Sequence, residues 1–168
     1  MPDLTFRPVL PDDDQFLLSV FIASHSEYDH LPLPPEQKKQ IVEMQYRLQT
    51  ADYKSRFPEE RHEVILDGGR PVGRVWSALL DDEVRVADMG LLETARNSGI
   101  GTAIMRRIQE EARNCGKPLR SSVFRFNDGS LRWHARLGFS LEHQDELMVY
   151  LVWRAETSTQ ACAAEVRA

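Results

Sequence analysis

Met89-Gly90-Leu91-Leu92-Glu93-Thr94-Ala95-Arg96-Asn97-Ser98-Gly99-Ile100-Gly101-Thr102 is the stretch whose reading decides the fold. Residues 84–92 include β-branched and apolar residues, as in an extended strand, and residues 103–115 repeat apolar positions with a period near 3.6, as in a helix. The stretch therefore reads as strand, loop, helix. Its loop carries Arg96, Gly99 and Gly101 in the spacing R-x-x-G-x-G at the helix start. Glycine tolerates positive φ and has no Cβ, so a ligand can come close to the main chain there. The first N–H groups of a helix have no intrahelical partner and point outward, which suits a phosphate or pyrophosphate. A plain chain reversal built from glycines would look the same locally, so the loop needs a second signal.

Two common phosphate loops are excluded. No Gly-Lys-Ser/Thr follows the glycines, so a triphosphate loop with a magnesium-binding hydroxyl is not supported. A dinucleotide fingerprint belongs early in a βαβ unit with an acidic residue downstream, whereas this loop lies past mid-chain after a run of strands. The second signal comes from Asn127-Asp128-Gly129-Ser130 through Trp133-His134-Ala135-Arg136-Leu137-Gly138-Phe139. Together the two blocks resemble the GNAT superfamily of CoA-dependent N-acetyltransferases, whose patterns are R-x-x-G-x-G and N-x-x-A-x-x-x-Y-x-x-x-G-F. Two positions differ: Ser130 stands for the alanine and His134 for the tyrosine. Both blocks in the right order are far more specific than either alone.

The chain has 168 residues, enough for one full core and too few for two ordinary domains. Apolar content of 42% and charged content of 28% describe a soluble globular protein. A formal net charge of −5 without a Lys/Arg tract argues against nucleic acid or an anionic membrane as partner. No apolar run is long enough to span a bilayer, and Met1-Pro2-Asp3 lacks the start of a signal peptide, so the cytoplasm is expected. Cys115 and Cys162 are expected to be reduced thiols.

Residues 4–9 alternate as a strand, and Pro11 to Asp14 starts a helix with Phe16, Leu17, Val20, Phe21 and Ser24 on one face. A proline-rich connection leads to a second helix near Pro35-Glu36, with Ile41, Met44, Gln45 and Leu48 as its expected stripe before Phe57-Pro58 ends it. Residues 62–66 and 71–80 form a hairpin through Asp67-Gly68-Gly69, and Asp81-Asp82 turns into strand 84–92. The next helix buries Ile100, Ile104, Met105, Ile108 and Ala112 and stops at Gly116. Residues 119–126 read as a strand, and Asn127 or Asp128 caps a short helix ending at Gly138. Residues 139–142 and 147–153 make a last pair of strands. The order is β-αα-βββ-α-β-α-ββ: a mixed α/β (α+β) fold with a mostly antiparallel twisted sheet and helices on both faces. That is the order of the GNAT fold. One domain is expected over residues 1–154, with 155–168 a mobile tail.

What the resemblance implies about the site follows residue by residue. Acetyl-CoA is the co-substrate and no metal is needed. Arg96, Asn97, Ser98, Gly99, Ile100, Gly101 and Thr102 would cradle the CoA pyrophosphate. Leu91 and Leu92 would pair their backbone with the pantetheine amides and supply an oxyanion donor nearby, and Asn127 would bond the CoA arm or cap its helix. Glu93 replaces a common proline. The acetyl group would pass directly to an amine of a small molecule or peptide. The departing thiolate benefits from an acid, and His134 is the candidate; with an ordinary pKa near 6.5 it would be mostly neutral at pH 7. A capping or solvent-facing histidine is the alternative. Asp88 is the candidate base, or else a structural or acceptor-binding carboxylate, its direction depending on any bulge. Glu83 lies near the same strand. Glu27, Tyr28 and His30 border the acceptor region, and Arg85 could meet an acidic group or form a surface ion pair. A catalytically silent acyl-CoA sensor and a bare structural module are the competing readings. A homodimer is possible.

Overall fold

The computed structural model describes residues 2–57 and 61–156. Its elements are β1 (Leu4–Pro8), α1 (Asp14–Ser24), α2 (Pro35–Arg56), β2 (Arg61–Asp67), β3 (Arg70–Leu79), β4 (Val84–Leu91), α3 (Ile100–Asn114), β5 (Leu119–Phe124), α4 (Asp128–Arg136), β6 (Ser140–Gln144) and β7 (Met148–Trp153). This is the expected order. One seven-stranded sheet runs β1-β2-β3-β4-β5-β7-β6, antiparallel except for the β4–β5 pair, which α3 connects.

Two apolar layers flank the sheet. On one side Ile100, Ile104, Met105, Ile108 and Ala112 of α3 pack with Leu137 and Phe139 after α4 against the inward residues of the strands. A 15-residue helix is marginal alone in water, and each of its buried isoleucines and Met105 stabilises it by roughly 1.5–3 kcal/mol. On the other side Leu17 and Phe21 of α1 meet Val42 and Tyr46 of α2 over Val64. α1 comes close to β4 because Gly90 has no side chain: a Cβ there would stand 2.7 Å from Ser24 Oγ and 2.8 Å from Val20 Cγ1.

The buried stripe of α2 differs from expectation. Met44 and Leu48 are 50% and 57% exposed, and the helix buries Val42 and Tyr46. The reason lies beneath it: the sheet there carries a buried arginine, so the covering residues include Tyr46 and Gln49, which have polar ends, rather than an aliphatic stripe. β5 stops at Phe124, short of residue 126, because the chain turns with Asn127 N–H donating to the Phe124 carbonyl.

The hairpin turn uses Gly68 at φ 55° and Gly69 at φ 78°. Cys115 is exposed and unbridged, while Cys162 lies outside the described residues. So does the expected tail from residue 157; Ala155 and Glu156 have no regular structure. Among the described residues no helix is long and apolar enough to cross a membrane.

Candidate functional site

The parallel ladder between β4 and β5 is short. Val84, Arg85 and Val86 pair with Leu119, Arg120 and Ser121, and pairing then stops although β4 runs on to Leu91 and β5 to Phe124. The strands part into a fork. Its cause is visible on the other edge of β4: Ser77 pairs with Val86 and Trp76 with Asp88, leaving Ala87 as the extra residue of a β-bulge. The bulge also switches alternation, so Val84 and Val86 face α3, as do Met89 and Leu91, and Asp88 turns to the α1/α2 side.

The glycine loop closes the mouth of this fork. After β4 a short turn, Glu93–Ala95, leads to the loop; Asn97 takes φ 57° and Gly99 takes φ 84° as the N-cap of α3. Arg96, Asn97, Ser98 and Gly99 are all exposed. No side chain caps α3, so its first N–H groups face outward. Ser98 Oγ donates to the Ala95 carbonyl at 2.6 Å and tightens the loop. Arg96 donates to the Ala23 carbonyl and ties the loop to the end of α1. Trp133 Nε1 donates to Thr102 Oγ1 at 3.1 Å, latching α4 to the first turn of α3.

The expected pieces are thus placed as follows. Arg96 through Thr102 form one turn at the helix start, exposed except for Ile100, which is buried, and Gly101, which is half-buried. Leu91 ends β4 opposite Gly73, and the Leu92 N–H donates to the Val72 carbonyl at 2.9 Å, so that N–H is not a free oxyanion donor. Asn127 caps α4, its Oδ1 accepting from Ser130 N–H at 3.0 Å. His134 is buried, with Nδ1 2.9 Å from the Ser130 carbonyl and Nε2 3.2 Å from Ser121 Oγ. Burial pushes its pKa down and keeps the ring neutral.

Asp88 faces the helices and accepts from Arg74 Nε at 2.8 Å. Arg74 is 1% exposed, also donates to Gln49 Oε1 at 3.2 Å, and lies over the rings of Phe21 and Tyr46. Sequence reasoning missed Arg74, although an arginine inside the apolar run of β3 was the available signal. It also missed Ser121, a polar residue in a core-facing place between Leu119 and Val123. Glu83 is buried and paired with Arg85 at 2.5 Å and Arg120 at 2.7 Å, which accounts for Arg85 as an ion-pair partner. Glu27 and His30 lie exposed on the turn Ser26–His30, while Tyr28 packs on the α1/α2 core.

A separate cleft of about 630 Å³ opens between the ends of β1 and β2, the start of α1, and α2. Tyr46, Thr50, Lys54 and His62 line it. His62, Trp76 and Asp88 stand in one row across β2, β3 and β4, which sets the cleft two strands away from the fork.

Comparison with known proteins agrees with this fold. The sequence profile described as the acetyltransferase (GNAT) family matches residues 25–139. A search of curated proteins found no match. Among solved structures, PaiA N-acetyltransferase of Thermoplasma acidophilum, in complex with coenzyme A, superposes with a TM-score of 0.70 at 13% identity. The match covers 91% of this chain and 99% of that one. An acetyltransferase of Thermus thermophilus gives 0.66 at 21% identity, over 90% and 97% of the two chains. YncA of Salmonella typhimurium, solved with acetyl-CoA as its cofactor, gives 0.56 at 16%, over 98% and 99%.

Proposed function

The chain belongs to the acetyltransferase (GNAT) family, and from that premise we propose that it transfers an acetyl group from acetyl-CoA to a primary amine of a small molecule or peptide. The amine attacks the thioester directly while both are bound. The observation that carries this reading is the fork between β4 and β5 with an exposed, glycine-rich helix start at its mouth. Structural relatives bound to CoA and to acetyl-CoA support it.

In this reading the residues from Arg96 to Thr102 hold the pyrophosphate on outward N–H groups, with the α3 dipole favouring its charge. The pantetheine arm runs along β4, where Leu91 and the Leu92 carbonyl offer backbone partners. Asn127 keeps its cap and borders the arm from β5. Bound acetyl-CoA supplies an electrophilic thioester carbonyl and a thiolate leaving group. Asp88, tied to Arg74, is a fixed negative charge on the acceptor side of the bulge, and His134 handles a proton beside the fork. The cytoplasm, with its acetyl-CoA and reduced thiols, is the compartment we assign.

Thermal unfolding with CoA, then thiol release from acetyl-CoA, tests the proposal. The release assay uses spermidine, tyramine, Nα-acetyl-lysine and a tripeptide with a free N-terminus. CoA at a hundredfold over its Kd raises Tm by about 5–10 °C in a chain of this size, and at least one amine accelerates thiol release. No shift with millimolar CoA overturns the reading. A shift without turnover on any amine favours the silent sensor, for which the replacement of a phenol by His134 is the supporting observation.

A further inference from the structure

Ser121 and His134 meet beneath α4 at the vertex of the fork. The Ser130 carbonyl, 2.9 Å from His134 Nδ1, has no proton to give, so Nδ1 carries the ring proton and donates it. Nε2 is therefore bare, and the Ser121 hydroxyl, 3.2 Å away, donates to it. Ser130 Oγ, 3.4 Å from Nδ1, lies on the same side of the ring as its carbonyl. Both members of the pair are buried, Ser121 at 6% exposed and His134 at 5%, and the rings of Trp133 and Phe139 stand edge-on to the imidazole. Ser121 is also the last β5 residue in the parallel ladder. A hydroxyl thus stands where the strands separate, with an oriented neutral base behind it, the arrangement by which serine hydroxyls and imidazoles handle protons.

We propose that Ser121 and His134 form a two-member proton relay for acetyl transfer, with Ser121 touching the reacting atoms and His134 acting through it. This rests on the reading of the fork as the thioester site. The amine enters as its free base, and its nitrogen bonds to the thioester carbon while the carbonyl π electrons move to oxygen. The nitrogen proton then passes to Ser121 Oγ as the Ser121 hydroxyl proton passes to His134 Nε2. The resulting imidazolium keeps its Nδ1–H on the Ser130 carbonyl. When the oxyanion reforms the carbonyl, the C–S bond breaks and its electron pair leaves with sulfur. Ser121 gives its proton to the thiolate and is refilled from Nε2. The net change is one C–N bond made, one C–S bond broken and one proton moved from nitrogen to sulfur, with the relay restored. In place of one phenol reaching from α4, this chain uses two groups in series, a hydroxyl from β5 and a ring from α4.

The test uses the full chain, acetyl-CoA and whichever amine of the panel turns over fastest. Ser121→Ala and His134→Gln are each expected to lower kcat about a hundredfold with CoA protection of Tm unchanged. The double variant is no slower than the slower single, because the two act as one unit. The acid limb of the wild-type kcat profile disappears in His134→Gln. In His134→Tyr, which brings its own hydroxyl from α4, adding Ser121→Ala costs less than about threefold. A proton inventory of the wild type in mixed H2O and D2O is bowed, since two protons move together, and this reading does not depend on any variant folding. A linear inventory, unchanged kcat in Ser121→Ala, or additive losses in the double variant overturn the relay. If the wild type binds CoA and turns over but these signatures fail, only the relay falls. If CoA does not bind, the fork reading falls with it.

Discussion

An arginine with 1% of its surface exposed must have its charge compensated where it lies, and Arg74 finds its counter-charge in Asp88 at 2.8 Å. The pair explains the position of a carboxylate that the sequence alone presents as a possible base. It also separates the two roles experimentally. If Asp88 is the partner of a buried charge, Asp88→Ala loses about 3–5 kcal/mol in urea unfolding because Arg74 is left unpaired. The joint replacement Arg74→Met with Asp88→Leu then regains most of that loss. A base without a structural role would instead lower kcat and leave the unfolding midpoint alone. Asp88 was legible as a residue of interest from its place on the central strand. Its direction was not, since alternation inverts across Ala87 and nothing in the local composition marks a bulge. Ser121 was harder, because its partner comes from α4, 13 residues further along the chain.

At the scale of the element, the local rules worked where they act within one turn. α3 shows its apolar period in the sequence and buries the five residues that period selects. α4 announces its start in the same way: Asn127 accepts from Ser130 N–H, three residues on. Asn127→Ala is expected to cost about 1 kcal/mol in thermal or urea unfolding. Asn127→Ser keeps a capping oxygen, so its stability stays within about 0.5 kcal/mol of the wild type, and any CoA affinity lost there belongs to the side-chain amide. α2 went unread for the opposite reason. Its buried face is chosen by the charged and aromatic layer beneath, where Gln49 meets Arg74 and Tyr53 stands edge-on to Trp76 at 5.3 Å. Hydrophobic periodicity does not register a face of that kind.

Across the whole molecule, the order of elements, the parallel crossover through α3 and both layers of helices followed from the sequence pattern, since each element's period and turn residues agreed with the others. The layer between α2 and the sheet did not follow, and it carries an acid sensitivity. His62 stacks on Trp76 at 3.9 Å, and burial, with Arg74 second, pushes its pKa down to about 4. The unfolded chain takes up this proton near 6.5, whereas the folded chain refuses it until about 4. Stability therefore falls as pH drops through that window. His62→Phe keeps a ring on Trp76 and removes the His62 part of the Tm decline between pH 6.5 and 4, leaving the part from buried His134, which calorimetry across that range checks. Asp13, held down to about 2 by Arg7, loses its contribution at lower pH and is separable.

The ladder of Val84, Arg85 and Val86 with Leu119, Arg120 and Ser121 has a mechanical side as well. Among the described residues it is the strand pairing that joins a four-stranded plate to a three-stranded plate, so the sheet is stiff on either flank and weakest along one short seam. A molecule lodged between the two banks and bonded to both would work as a splint, and the protein would be most rigid at the moment its reactants are in place.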